Sequence, residues 1–161
     1  EGGPRVIEYN VRFGDPECQA LVRRLKSDIV PILIATADGT LSEIESPEWD
    51  ADTCVGVVAA AEGYPEAPRK GDEISGLEEA AAVEGVEIFH AGTKLHRNLD
   101  GHEEVVTNGG RVLTITAMGA TTDLARERAY EAYGKIRYDG KFCRTDIGRR
   151  REARKETTSQ A

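Results

Sequence analysis

The sequence predicts an α+β domain over roughly residues 49–148, and three observations carry that expectation. Cys54 to Ala61 reads CVGVVAAA, an almost unbroken apolar run of strand length, as a strand covered on both faces would need. Val105–Thr107 and Arg111–Met118 flank Asn108-Gly109-Gly110, and Asn-Gly tolerates the positive φ angles of a tight hairpin, so these two segments are expected to pair. Thr121 or Thr122 offers a hydroxyl to cap a helix running to about Ile136, with Leu124, Ala125, Ala129 and Ala132 on its inner side. Strands and helices are segregated rather than strictly alternating, which favours a small mixed or antiparallel sheet with packed helices.

The remaining elements follow in order. Glu8 to Phe13 has the alternation of a strand that starts almost at residue 5. Gly14, Asp15 and Pro16 form a turn, and Cys18, Leu21, Val22 and Leu25 give a helix from Glu17 to near Lys26. Ser27 and Asp28 provide an N-cap for a second helix through about Thr36, with Pro31 near its first turn, where a missing N–H costs least. Asp38 to Asp52 is a polar connection and marks a boundary, with Trp49 as a packing anchor there. Residues 63–76 hold too many Pro and Gly for regular structure until a short strand at Glu73–Ser75. Val86–His90 is another strand, and His96–Glu104 reads as a long polar loop. Beyond Gly148 the chain is charged and lacks an apolar stripe, so 149–161 is expected to be a solvated tail.

Composition excludes several function classes. In 161 residues there are 21 Lys plus Arg against 29 Asp plus Glu, a formal charge of -8, which disfavours nucleic-acid binding through a general positive field. The three cysteines, at 18, 54 and 143, contain no C-x-x-C pair, so neither a zinc knuckle nor a disulfide framework is expected and a reducing cytoplasm is the simplest setting. No apolar run approaches the ~20 residues that span a bilayer, so no membrane partner is expected. Glu1 is not an initiator residue, and a strand begins almost at once, which predicts a fragment or a processed chain.

The stretch with most chemical content is EYNVRFGDPE, residues 8–17. On a strand, Glu8, Asn10 and Arg12 share one face while Tyr9, Val11 and Phe13 share the other. A carboxylate and an amide oxygen side by side suit a hard cation such as Mg²⁺, which usually completes its shell with phosphate oxygens and water. Arg12, one pleat on, can make paired hydrogen bonds to a carboxylate or a phosphate. An edge strand with a solvated polar face fits the same spacing. Asp15 and Glu17 open a helix, where acids meet the dipole favourably. The histidines at 90, 96 and 102 do not fall on one side of a strand-to-loop segment, which argues against a three-His metal site. His90 is either a cleft residue or a satisfied structural histidine. Asn108-Gly109-Gly110-Arg111 can cradle a phosphate or be a plain hairpin turn, and Arg69-Lys70 can face an anion or simply be solvated.

These residues carry a resemblance. VIEYN followed by RFGDPECQ (Arg12–Gln19) resembles the signature of the phosphoribosylamine-glycine ligase family (glycinamide ribonucleotide synthetases), ATP-grasp ligases of purine biosynthesis. LKSD at 25–28, EGYP at 62–65, KGD at 70–72, FHAGT at 89–93, VTNGGRVL at 106–113 and CRTDIG at 143–148 look like family landmarks in their usual order, so the resemblance covers about 4–148. It implies an enzyme that joins glycine to 5-phosphoribosylamine with cleavage of ATP to ADP and phosphate, through a glycyl phosphate. It also implies that Glu8 and Asn10 hold Mg²⁺ or Mn²⁺, that Asn10 and Arg12 face the nucleotide, and that Arg12 serves the reacting carboxylate. Residues 1–48 would be the end of an ATP-grasp domain and 49–148 the carboxy-terminal α+β domain, in an enzyme that is monomeric when complete. The family's 5-phosphoribosylamine-binding domain and most of its ATP-grasp fold have no counterpart here, so this chain alone is expected to be inactive. Another ATP-grasp carboxylate-amine ligase, or a noncatalytic docking module, are the alternatives.

Overall fold

The computed structural model describes residues 3–149 and is an α+β fold. Its centre is a three-stranded antiparallel sheet in which β5 (Arg111–Gly119) lies between β1 (Thr53–Ala60) and β2 (Val86–His90). The pairing is fixed by side chains on one face: Ile115 sits between Val57 and Ile88, and Ala117 between Val55 and Val86. A one-residue slip would turn this whole set away from the core, so the alternation specifies the register. The register breaks only at the end of β1, where a bulge falls between Ala59 and Ala60.

Helix α4 (Thr122–Lys135) covers that face with Ala125, Ala129 and Ala132, all fully buried. Small residues in one helical stripe let the helix axis approach the sheet closely, and Val57, Leu113 and Ile115 fill the space between. The Thr121 hydroxyl accepts from Leu124 N, as the sequence predicts for a cap. At the other end Lys141 Nζ donates to Tyr133 O at 2.6 Å and also to Ile136 O, satisfying carbonyls that the last turn leaves without partners. A short helix α3 (Leu77–Ala81) adds Ala80 and Leu77 to the same core.

The opposite face is different in kind. Register places Gly56 between the methyl groups of Thr114 and Thr116, with Glu87 opposite Thr116 and Cys54 opposite Met118. Helix α1 (Glu17–Arg24) lies across β1 and β5 here. Arg23 ties it to β2, donating to Gly85 O at 2.9 Å and pairing with Glu87 at 3.6 Å, while Arg24 donates to Asp50 O at 2.9 Å. Helix α2 (Ile29–Asp38) is capped by the Asp28 carboxylate, which accepts from Val30 N, but buries only Ala35. Trp49 is half-exposed and meets α1 through a single backbone bridge to Leu25.

A second sheet is a hairpin of β3 (Thr93–Arg97) and β4 (Glu103–Thr107). Residues 71–74 run along the free side of β4, with Gly71 N donating to Thr107 O and Ile74 N to Val105 O, both at 2.8 Å.

Several expectations are corrected. Residues 4–13 form no strand: tyrosine, valine and phenylalanine side chains and the polar set are all exposed, because among the described residues no segment pairs with them. Asn108-Gly109-Gly110 does not close a hairpin, since β4 pairs with β3 and β5 pairs with β1 and β2, so the three residues carry the chain from one sheet to the other. His96–Glu104 is mostly hairpin rather than loop, with its turn held by Asn98, whose Oδ1 accepts from Asp100 N and His102 N. Glu73–Ser75 makes isolated bridges, to Val106 and Arg137, instead of a strand. The first helix stops at Arg24, short of Lys26. Of the charged tail, 150–161 lies outside the described residues.

Candidate functional site

Four of the family-like landmarks, EGYP, FHAGT, NGGR and GDPE, are far apart in sequence and meet at one corner of the fold. At its centre are Gly92 and Gly109, packed backbone to backbone: a Cβ on Gly92 would lie 2.7 Å from Gly109 Cα. Asn108 N donates to Gly92 O at 2.7 Å and Gly92 N to Arg111 O at 2.8 Å, so the turn after β2 is stitched to the crossing into β5. Any side chain at either glycine would force the two turns apart. Gly110 supports the Tyr64 ring, which occupies the space a Cβ would need, and Gly110 O accepts from Ala61 N at 2.9 Å. FHAGT, NGGR and EGYP therefore form one rigid platform.

Two arginine forks extend it. Arg69 donates to Glu62 Oε2 at 2.8 Å and Asp72 Oδ2 at 3.0 Å and lies 3.6 Å from Asp139. The Asp72 hydrogen bond, with the attraction of Asp72, Glu62 and Asp139, raises its pKa and keeps it charged. Beyond it, Asp72, Glu73, Ser75, Arg137, Tyr138 and Asp139 line an open cleft of about 380 Å³. Arg111 reaches the other way, donating to Asp15 O at 2.8 Å and Asp15 Oδ2 at 2.9 Å, while Gln19 Nε2 donates to Asp15 Oδ1 at 3.3 Å. The GDPE turn is thereby fastened to the platform.

From this turn the segment with Glu8, Asn10 and Arg12 leads away. All three side chains are exposed, and Arg12 Nη1 donates to Phe13 O at 3.1 Å. Glu8 and Asn10 offer two hard oxygen donors, which fits a Mg²⁺ or Mn²⁺ whose other positions are phosphate and water oxygens, and does not fit an all-protein cage. Among the described residues no three His, Cys, Asp or Glu side chains are gathered for a metal. His90 Nδ1 lies 3.0 Å from Thr93 Oγ1, at the edge of the platform.

In the sequence Glu8, Asn10 and Arg12 share one stripe, whereas the Arg69 and Arg111 contacts arise only in the fold. The signal for Arg69 was the acidic residues bracketing it at 62 and 72. For Arg111, 96 positions from Asp15, there was none beyond both lying in landmark motifs.

Comparison with known proteins bears on the same residues. The sequence model described as "Phosphoribosylglycinamide synthetase, C domain" matches residues 54–150. Phosphoribosylamine–glycine ligase of Caulobacter vibrioides is 52% identical over 146 residues, which are 91% of this chain and 33% of that protein. The protein of the same name from Rhodopirellula baltica is 50% identical over 145 residues, 90% of this chain and 32% of its own length. A crystal structure of phosphoribosylamine–glycine ligase from Thermotoga maritima superposes with a TM-score of 0.64 at 38% identity, covering 91% of this chain and 34% of that one. The chain thus spans about a third of the length of the curated relatives it matches.

Proposed function

This chain belongs to the phosphoribosylglycinamide synthetase C-domain family, and from that premise we propose that it is the carboxy-terminal third of an ATP-dependent ligase that makes glycinamide ribonucleotide. In this reading residues 1–48 end the ATP-grasp domain and 49–148 are the carboxy-terminal domain. The substrates are glycine, 5-phosphoribosylamine and ATP, and the complete enzyme is a cytoplasmic monomer. No helix among the described residues is long and apolar enough to cross a membrane. The single observation that carries the proposal is the convergence of EGYP, FHAGT, NGGR and GDPE on one corner, directly beside the exposed Glu8–Arg12 segment.

The chemistry asks for an anion clamp and a charge sink. A glycine carboxylate oxygen attacks the γ-phosphorus of ATP, ADP leaves, and the amine of 5-phosphoribosylamine displaces phosphate from the glycyl phosphate. Arg12, with a planar fork, orients the carboxylate or phosphate for in-line attack, where ångström errors are expensive. Glu8 and Asn10 hold Mg²⁺ or Mn²⁺, which when bound neutralises phosphate charge.

Glu8→Gln in the full-length polypeptide tests this, because it removes one charge with little change of shape. The Mg²⁺ concentration for half-maximal ADP release should rise about tenfold or more, with the thermal midpoint unmoved. An unchanged Mg²⁺ dependence would return Glu8 to a solvated face.

A further inference from the structure

Asn108–Gly109 is the one place in the chain where an asparagine precedes a glycine; Asn10 and Asn98, the other two asparagines, precede Val11 and Leu99. An asparagine followed by glycine is the peptide link most open to self-modification, because a residue without Cβ leaves its nitrogen unshielded. In that reaction the Gly109 nitrogen gives its proton to water or hydroxide and attacks Asn108 Cγ. The new N–Cγ bond closes a cyclic imide as the Cγ–Nδ2 bond breaks and ammonia leaves. Water then opens either imide C–N bond, giving aspartate or, with an extra methylene in the main chain, isoaspartate. Asn108 is exposed, so water reaches it.

The fold opposes both the closure and the product. Closure needs the main chain to rotate at Asn108 so that Gly109 N swings toward the side-chain carbon, and both ends of this short stretch are pinned. Asn108 N donates to Gly92 O at 2.7 Å, and Gly110 O accepts from Ala61 N at 2.9 Å. Between the pins Gly92 covers the nitrogen itself: a Cβ on Gly92 would lie 2.9 Å from Gly109 N and 2.7 Å from Gly109 Cα. Gly92 is held there in turn, its N donating to Arg111 O at 2.8 Å, and the Tyr64 ring fills the space beside Gly110. A main chain lengthened by a methylene has no room where two backbones already touch. Every group that holds the loop lies between residues 61 and 111, inside the 54–150 region that the family model matches, so the lock belongs to the domain itself.

We infer that Asn108–Gly109 is a modification site gated by the platform: the link stays intact while Gly92 and Gly109 are in contact, and converts to aspartate and isoaspartate when they part. An isoaspartate at 108 cannot re-form that contact, so conversion leaves the corner open. Local opening takes less free energy than global unfolding, and the rate of conversion therefore counts openings of this corner. The inference goes beyond the ligase reading and stands without it.

The experiment ages the full-length polypeptide in mildly alkaline buffer, with and without denaturant, and follows the amide-to-acid mass change at Asn108 and Asn98 by peptide mapping. Exchange of the Asn108 amide hydrogen is measured in the same buffer without denaturant. Asn108 in the folded protein should convert at least about tenfold more slowly than in denaturant. The ratio of the two rates should match, within about threefold, the open fraction that hydrogen exchange reports. Gly92→Ala, which wedges the contact apart, should raise the folded rate at Asn108 about tenfold or more and leave Asn98 unchanged. Should that variant fold poorly, Tyr64→Ala, which removes the support beside Gly110, should raise the rate in the same direction. Equal rates with and without denaturant would overturn the lock. Conversion faster than the open fraction allows would overturn it too, since the closed form would then be reacting. So would folded rates in both variants equal to the parent's.

Discussion

Strand β5 and the segment 4–13 read alike as sequences, each alternating or rich in β-branched and aromatic residues, yet only β5 becomes a strand. β5 has β1 on one side and β2 on the other, with α4 and α1 over its faces, and Val112 to Ala117 are all buried. In the other segment Ile7 and Val11 are 98% and 96% exposed. The contrast teaches that alternation is a property a segment offers, while a strand is a relation that neighbours complete. It also separates tasks: the region with neighbours on every side supplies rigidity, and the one without carries the groups proposed for chemistry.

The largest effect that would probe this contrast is in β5. Ile115→Ala removes three carbons between Val57 and Ile88 in a fully buried site, and should lower the unfolding free energy of this chain by ~2–5 kcal/mol in a denaturant titration. A loss under ~1 kcal/mol would mean the sheet is far looser than its burial implies.

An intermediate effect belongs to the edge of that core, and it depends on pH. Burial is the main cause that raises the Tyr138 and Tyr133 phenols above their ordinary value of 10.0. A raised folded pKa stabilises the fold fully below 10.0 and loses that contribution as pH rises toward the folded value. Lys141 works oppositely: burial lowers its pKa from 10.5, so its penalty is present at neutral pH and is relieved as the amine deprotonates. Two tyrosines against one lysine give net destabilisation above pH 10. Tyr138→Phe should cost ~1 kcal/mol at pH 7, through the lost 3.1 Å bond to Ala60 O, and should make the alkaline decline shallower. Equal steepness in parent and variant would show that this phenol does not drive it.

The smallest effect sharpens the comparison most. Ile7→Ala in this chain should change stability by less than ~0.5 kcal/mol, as for exposed positions generally. In the full-length polypeptide the same change should cost ~2 kcal/mol or more, provided that residues 4–13 gain there the strand partners their alternation calls for. Equal values in the two contexts would show that the segment gains none.

Locally encoded features were legible in the sequence. The Asp28 and Thr121 caps, the limits of β2 and the alanine stripe of α4 all follow from short-range patterns that residues impose on themselves. Pairing was not legible. Asn108-Gly109-Gly110 has hairpin chemistry, but the same backbone freedom serves a crossing between sheets, and only the partners of β4 and β5 distinguish them. β3 was hidden because Lys94, Leu95, His96 and Arg97 are all exposed and so carry no apolar signal. At the candidate site, Glu8, Asn10 and Arg12 are singled out by the spacing of a strand that does not form among the described residues. The forks of Arg69 and Arg111 are not, since each depends on loops brought together only by the fold.

The order of strands in the central sheet has a consequence for the time at which the protein can fold. Within the described residues β5 is the only strand that pairs with β1 or β2, and the further bridge from Ala60 goes to Phe142, later still in the chain, so neither strand is fully paired until Gly119 has been synthesised. At about 5–20 residues per second, some 3–12 s pass between completion of Ala60 and of Gly119. Throughout that interval the nascent chain displays CVGVVAAA as an unpaired apolar edge, the kind of segment that associates with other chains. The ribosome-bound intermediate, more than the finished domain, is therefore where this sequence is most exposed to aggregation and most in need of a chaperone.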